Sequence, residues 1–138
     1  MPDEDSEMTN ATISIARRAY QAYVDHDRAA IEAVIGDDFH FTSPRDNRIN
    51  RKTYFDRCWK NSDTITGFTF INLVADGERV FVTYEGQRSS GKPFRNTEIV
   101  TARNGKIVEV EVYFGWSIPH EAPLGGFVDP RTQSGGPF

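Results

Sequence analysis

Three histidines, one cysteine and a scatter of carboxylates are the side chains of this 138-residue chain that could serve as acids, bases, nucleophiles or metal ligands. Cys58 stands alone, so it can close neither an internal disulfide nor a zinc cluster. No metal and no cofactor is expected. His26 lies in Asp25-His26-Asp27, between two helical stretches, and His120 follows Pro119; both read as surface residues. His40 alternates with Phe39 and Phe41. Asp46 falls in the polar stretch 45–49, where a solvated loop acid is the ordinary reading and an acid reaching inward is the alternative. Around these groups are ten Phe, five Tyr and two Trp, 12% of the chain. Large rigid rings on a concave surface line cavities well. They also fill cores, and either role is open for any single ring.

The remaining composition narrows the function classes. One domain is expected at this length, with enough buried surface for a core without staples. A net charge of −4 argues against nucleic acid and anionic membrane, both of which need a basic face. No apolar run approaches a membrane span of ~20 residues. The chain opens Met1-Pro2-Asp3-Glu4-Asp5, unlike a secretory signal, and with its single cysteine the expected location is the cytoplasm.

The elements that must position these side chains follow from periodicity. Residues 1–9 read as a flexible acidic lead. A helix is predicted from Asn10, a good cap, with Ile13, Ala16, Tyr20, Tyr23 and Val24 at helical spacing. Asp27 can cap a shorter helix carrying Ile31, Val34 and Ile35, which Gly36 would end. A short strand is predicted over 39–43, stopped by Pro44, and residues 45–49 form a polar loop. Asn50 can cap a third helix bearing Tyr54, Phe55, Cys58 and Trp59. The period then changes from 3.6 to 2. Strands are predicted over 68–75, 80–84, 94–102 and 107–114, with hairpin signals at Asp76-Gly77 and Asn104-Gly105. From 118 on, Pro and Gly rule out regular structure, and a pinned irregular tail is expected over 118–138. Helices followed by a meander imply an α+β fold with three helices on one face of a curved antiparallel sheet, a cone with an open mouth.

The stretches YQAYVDHDRAAIEAVIGDDFHFTSP at 20–44 and GKPFRNTEIVTARNGKIVEVEVYFG at 91–115 resemble the nuclear transport factor 2-like superfamily, in particular its ketosteroid-isomerase-like and SnoaL-like branches. The resemblance spans most of 10–117 and implies the cone-shaped fold. It is specific for fold and weak for function, because this superfold hosts many activities. By the resemblance, Tyr20 matches a first-helix tyrosine that donates a hydrogen bond to a developing oxyanion. Glu98 falls near a second donor, a carboxylic acid kept protonated by an apolar cavity. Alternatively, Tyr20 is plain core and Glu98 faces solvent.

The departures from these relatives are as informative. The isomerases carry a catalytic base where this chain has Ser43, and a serine hydroxyl has no useful basicity without a neighbouring base. The SnoaL-like cyclases carry an aspartate after Tyr-Phe, where this chain has Gly115. His40 and Asp46 remain as substitutes, although the resemblance points Phe39, Phe41 and Ser43 inward and His40 outward. For the Asp-Arg-Asp relay of the superfold's epoxide hydrolases, Arg57, Arg95 and Asp56 are candidates in residue type only.

Strand alternation and the resemblance give a pocket lining of Phe41, Phe55, Trp59, Val82, Tyr84, Val100, Val110, Val112, Phe114 and Trp116, with very few polar groups. The opposite sheet face carries Thr101, Arg103, Glu109, Glu111 and Tyr113, and relatives dimerise through that face, so a homodimer is expected. The expected partner is a small hydrophobic molecule, with neither nucleic acid nor membrane. The expected function is an isomerase, dehydratase or cyclase acting on a small hydrophobic carbonyl compound. The alternatives are a non-catalytic protein that holds such a ligand, and an interaction protein using the outer sheet and tail.

Overall fold

A computed structural model describes residues 4–129 of the chain. The elements run α1 (Glu4–Asp25), α2 (Arg28–Val34), β1 (Ile35–Ser43), β2 (Asp46–Asn50), α3 (Arg51–Arg57), a 3-10 segment (Trp59–Thr64), β3 (Ile65–Asp76), β4 (Arg79–Arg88), β5 (Phe94–Arg103) and β6 (Lys106–Ser117). This is the expected α+β fold, with helices on one face of a curved six-stranded sheet of order β2-β1-β6-β5-β4-β3. The sheet is mixed, because β1 pairs parallel with β6 while every other pairing is antiparallel.

Local chemistry accounts for most boundaries. Asp27 accepts from the Ala30 amide at 3.1 Å and Asn50 from the Thr53 amide at 2.9 Å, so both predicted caps start their helices. Asn104 and Gly105 take φ of 54° and 78°, the left-handed pair that a two-residue hairpin between β5 and β6 requires.

Several boundaries depart from expectation: α3 ends at Arg57, before Cys58 and Trp59, and β4 runs on to Arg88. α1 starts at Glu4 rather than Asn10. Gly36 does not end α2. Ile35 is already extended as its cap, and Gly36 lies within β1. Residues 45–49 are not a loop. The chain reverses at Pro44-Arg45 and returns as the edge strand β2, with Phe41 opposite Ile49 and Ser43 opposite Asp46. A five-residue polar edge strand carries no apolar alternation, so it left no signal.

The core lies between the helices and the inner sheet face. Phe39, Ile31, Ile107, Val80 and Val82 are its most enclosed large residues. Register places three rows across β4, β5 and β6: Val80–Val100–Val110, Val82–Glu98–Val112 and Tyr84–Asn96–Phe114. An acid and an amide therefore sit on the inner face among valines. Tyr113 lies on the other face, half-exposed, and donates to Glu111 at 2.8 Å. The tail is irregular from Ile118 to the last described residue, and the Ile118 amide ties its start to the Pro93 carbonyl at 2.8 Å. Among the described residues no helix is long and apolar enough to cross a membrane.

Candidate functional site

The cone encloses a cavity of about 520 Å³ between the helices and the inner face of β4–β6. Its size suits a small organic ligand. Tyr20 enters from α1, Glu98 from the middle of β5 and Tyr84 from β4. The Tyr20 hydroxyl donates to Glu98 Oε1 at 3.1 Å, and the Tyr84 hydroxyl donates to Oε2 at 2.5 Å. Asn96 Nδ2 supports Tyr84 with a long contact to its hydroxyl, 3.4 Å. The two tyrosine rings are themselves wedged by Phe68, which meets both edge-on at 5.1 Å.

Burial raises the Glu98 carboxyl above its ordinary value, although the bonds from Tyr84 and Tyr20 pull the other way. Burial likewise raises both tyrosines, and the neighbouring Glu98 charge adds to it, so they remain hydroxyl donors. Tyr20 and Glu98 both line the cavity, and the Tyr20 hydroxyl is directed at Glu98 and not into the open space.

A second hydroxyl pair stands on the wall. Tyr23 of α1 and Tyr54 of α3 are hydrogen-bonded through their phenol oxygens. Tyr54 packs on Phe39 and Phe41 at ring distances of 5.0 and 5.1 Å, and Tyr23 on Trp59 at 5.0 Å. At the mouth, Asp46 accepts from Ser43 Oγ at 2.8 Å and from Arg57 Nε at 2.6 Å. Burial acts to raise the Asp46 carboxyl, but the Arg57 and Ser43 bonds outweigh it and hold the group below the usual carboxylate range. Asp46 therefore lines the cavity instead of lying solvated in a loop. Beside it, burial pushes the Cys58 thiol up to about 11, which leaves it a poor nucleophile.

Of the expected lining, Phe41, Tyr84, Val100, Val110, Val112 and Phe114 reach the cavity. Phe55, Trp59, Val82 and Trp116 do not. Phe55 follows Tyr54 by one residue, about 100° around α3, so it turns away beneath the guanidiniums of Arg28 and Arg51. Trp59 backs Tyr23 from outside. Val82 is fully buried in the core. Trp116 is half-exposed on the rim of the sheet, between Arg95 and His120. His40 lies on the outer sheet face opposite Glu109, with Arg48 Nη2 3.3 Å from its Nδ1. Asp56 pairs with Lys52 and Arg95 with Glu85, so neither joins a relay with Arg57.

The lining is also more polar than the sequence implied. Tyr23, Tyr54 and Asn96 were missed as site groups, and signals existed for two of them. Tyr23 is one helical turn from Tyr20, and Asn96 is two strand positions from Glu98, so each shares its neighbour's face. Gly115 has a steric reason: a Cβ there would run into the Arg95 carbonyl, which leaves no room for the aspartate of the cyclases. Among the described residues no three His, Cys, Asp or Glu side chains cluster as metal ligands would.

A family model for the SnoaL-like domain matches residues 16–110. Solved structures with the same fold include an LEH-like epoxide hydrolase of Mycobacterium tuberculosis, with 18% identity, coverage of 78% of this chain and 80% of that one, and a TM-score of 0.67. A Kribbella flavida protein described as a candidate ketosteroid isomerase is 16% identical, covering 88% and 90%, with a TM-score of 0.65. An NTF2-like protein of Burkholderia thailandensis is 25% identical, covering 75% and 90%, with a TM-score of 0.57. No curated protein matches the chain.

Proposed function

The chain belongs to the SnoaL-like domain family, and from that premise we propose that its cone binds a small, largely apolar carbonyl compound and moves a proton on it through Glu98, as an isomerase, dehydratase or cyclase does. The fold is shared with an epoxide hydrolase and a candidate ketosteroid isomerase, so it accommodates several reaction classes and the residues must choose among them. The observation that carries the reading is the Glu98 carboxyl, set in an aromatic cavity between two tyrosine hydroxyls.

Its chemistry follows from that setting. Both hydroxyls donate to Glu98, so they stabilise its charged form while burial opposes it. A carboxyl set in this way holds a proton more readily than a solvated carboxylate and can pass it to and from a ligand. It supplies the base missing at Ser43. When Glu98 takes a proton from the carbon next to a ligand carbonyl, a tyrosine hydroxyl no longer needed by the carboxylate can turn to the enolate oxygen.

Proton exchange tests this without knowledge of the product. In deuterium oxide, the protein should accelerate loss of α-hydrogens from at least one member of a panel of cyclic and aromatic ketones, read by NMR. Glu98→Gln should lower that rate by about 100-fold or more. An unchanged rate in the variant would remove Glu98 from the role. A non-catalytic ligand-binding role is the second reading, favoured by one fact: both Glu98 oxygens already hold a donor, so the carboxyl needs no reaction to be satisfied. Ketones that stabilise the protein against melting without any exchange would decide for it.

A further inference from the structure

Charge is distributed unevenly around the cavity. Four cations reach its lining from four separate places: Arg45 from the β1–β2 turn, Arg57 from the end of α3, Lys60 from the 3-10 segment and Arg88 from the end of β4. Only two carboxyls, Asp46 and Glu98, share that lining. The whole chain has the opposite balance, with 16 Lys and Arg against 20 Asp and Glu. Asp46 is already taken up by Arg57, and Glu98 lies deep among tyrosines. Arg45, Lys60 and Arg88 are exposed and form no ion pair among the described residues. Two of them are held at the rim by ring contacts. The Arg88 guanidinium lies 4.4 Å from the Phe94 ring centre and that of Arg45 6.0 Å from Phe114, and both rings line the cavity.

We propose that the pocket takes an amphipathic anion, with an apolar or aromatic body inside the cone and a carboxylate or comparable acid group left at the rim among Arg45, Lys60 and Arg88. This refines the ligand class of the pocket reading above and does not depend on the proton transfer. A cleft with apolar walls and unpaired cations of one sign focuses its field at the mouth and draws in anions. An acid group at the rim stays partly hydrated, so it avoids the desolvation cost of full burial. The same arrangement sets polarity. The anionic end is attracted by the rim cations, so the other end of the ligand is the one that enters the cone.

Titration calorimetry on matched probes tests it. 2-Naphthylacetate and its uncharged amide, with larger aromatic and alicyclic acid and amide pairs, differ mainly in charge. At low salt at least one acid should bind about 3–10-fold more tightly than its amide. Raising the salt to about 0.5 M should bring that ratio below about twofold. The double variant Lys60→Gln with Arg88→Gln, in which only Arg45 of the three remains, should lose most of the preference and keep the affinity for the amide. Glu98→Gln should keep the preference, so a failure of proton transfer and a failure of anion binding give different results. 1-Naphthyl phosphate serves as a third arm; tighter binding than the carboxylate supports the anion site and assigns it to a phosphate. Equal or tighter binding of the amides, absence of binding by every pair, or a preference undiminished in the double variant overturns the proposal.

Discussion

Two carboxyl groups face one cavity, and their surroundings drive them apart. Glu98 at the deep end is enclosed by aromatic rings and held by two neutral hydroxyls, and its proton affinity rises. Asp46 at the mouth has one hydroxyl and one guanidinium, and its proton affinity falls. Residue type does not make this difference. A full positive charge at 2.6 Å outweighs the partial burial of Asp46, whereas two neutral donors do not outweigh the complete burial of Glu98. The proposed proton transfer rests on the deep group, whose setting differs from that of the outer one in this way.

The contrast can be broken most directly at Tyr84. Tyr84→Phe leaves Glu98 Oε2 without its donor inside the core, at a cost of about 1–3 kcal/mol. That corresponds to a fall in melting temperature of roughly 3–10 °C. The loss should be larger at pH 8 than at pH 4, since the missing donor serves the charged form most. A loss independent of pH would mean that Glu98 does not ionise in the folded state.

Glu98→Gln sharpens the comparison from the other side. A carboxyl whose folded value is raised contributes stability that is fully present below its ordinary value of 4.5 and is lost as pH rises through the folded value. Melting curves of the wild type should therefore decline relative to the variant as pH rises from about 4.5. Parallel curves would count against the raised value.

Asp46→Asn should have a smaller effect of opposite sign. The lowered carboxyl contributes stability present above its ordinary value of 3.8 and lost as pH falls through the folded one. With Arg57 mostly in water, the cost at pH 7 should be about 1 kcal/mol or less, and it should vanish on acidification. The smallest effect belongs to His40. His40→Gln on the outer sheet face should change stability by no more than about 0.5 kcal/mol and leave ketone exchange untouched. A marked loss of exchange in that variant would place a proton path through the sheet.

The placement of Glu98 and Tyr20 on the cavity side was legible in the sequence because both sit on regular elements. Alternation along β5 puts Glu98 and Val100 on one face, and the period of α1 puts Tyr20 with Ala16. The lining was legible where strands supply it and failed elsewhere. Phe55 and Tyr54 are neighbours in sequence, and only the rotation of α3 against β1 decides that Tyr54 faces the cavity. The mouth was read least well. β2 is too short and too polar to show a period, so Asp46 looked like a loop acid until its strand was paired with β1.

By itself the sequence determined the local devices: two helix caps, the Asn-Gly hairpin, the change of period from helix to strand, and the solitary cysteine. Each depends on residues within a few positions of one another, where chain geometry leaves few choices. Only the tertiary structure decided what those devices assemble. Tyr20 and Glu98 are 78 residues apart, and the four cations of the cavity lining come from the β1–β2 turn, α3, the 3-10 segment and β4. Whether a carboxyl is raised or lowered, and whether four basic residues form one surface, depends on what stands within a few ångströms, and that is set by packing alone.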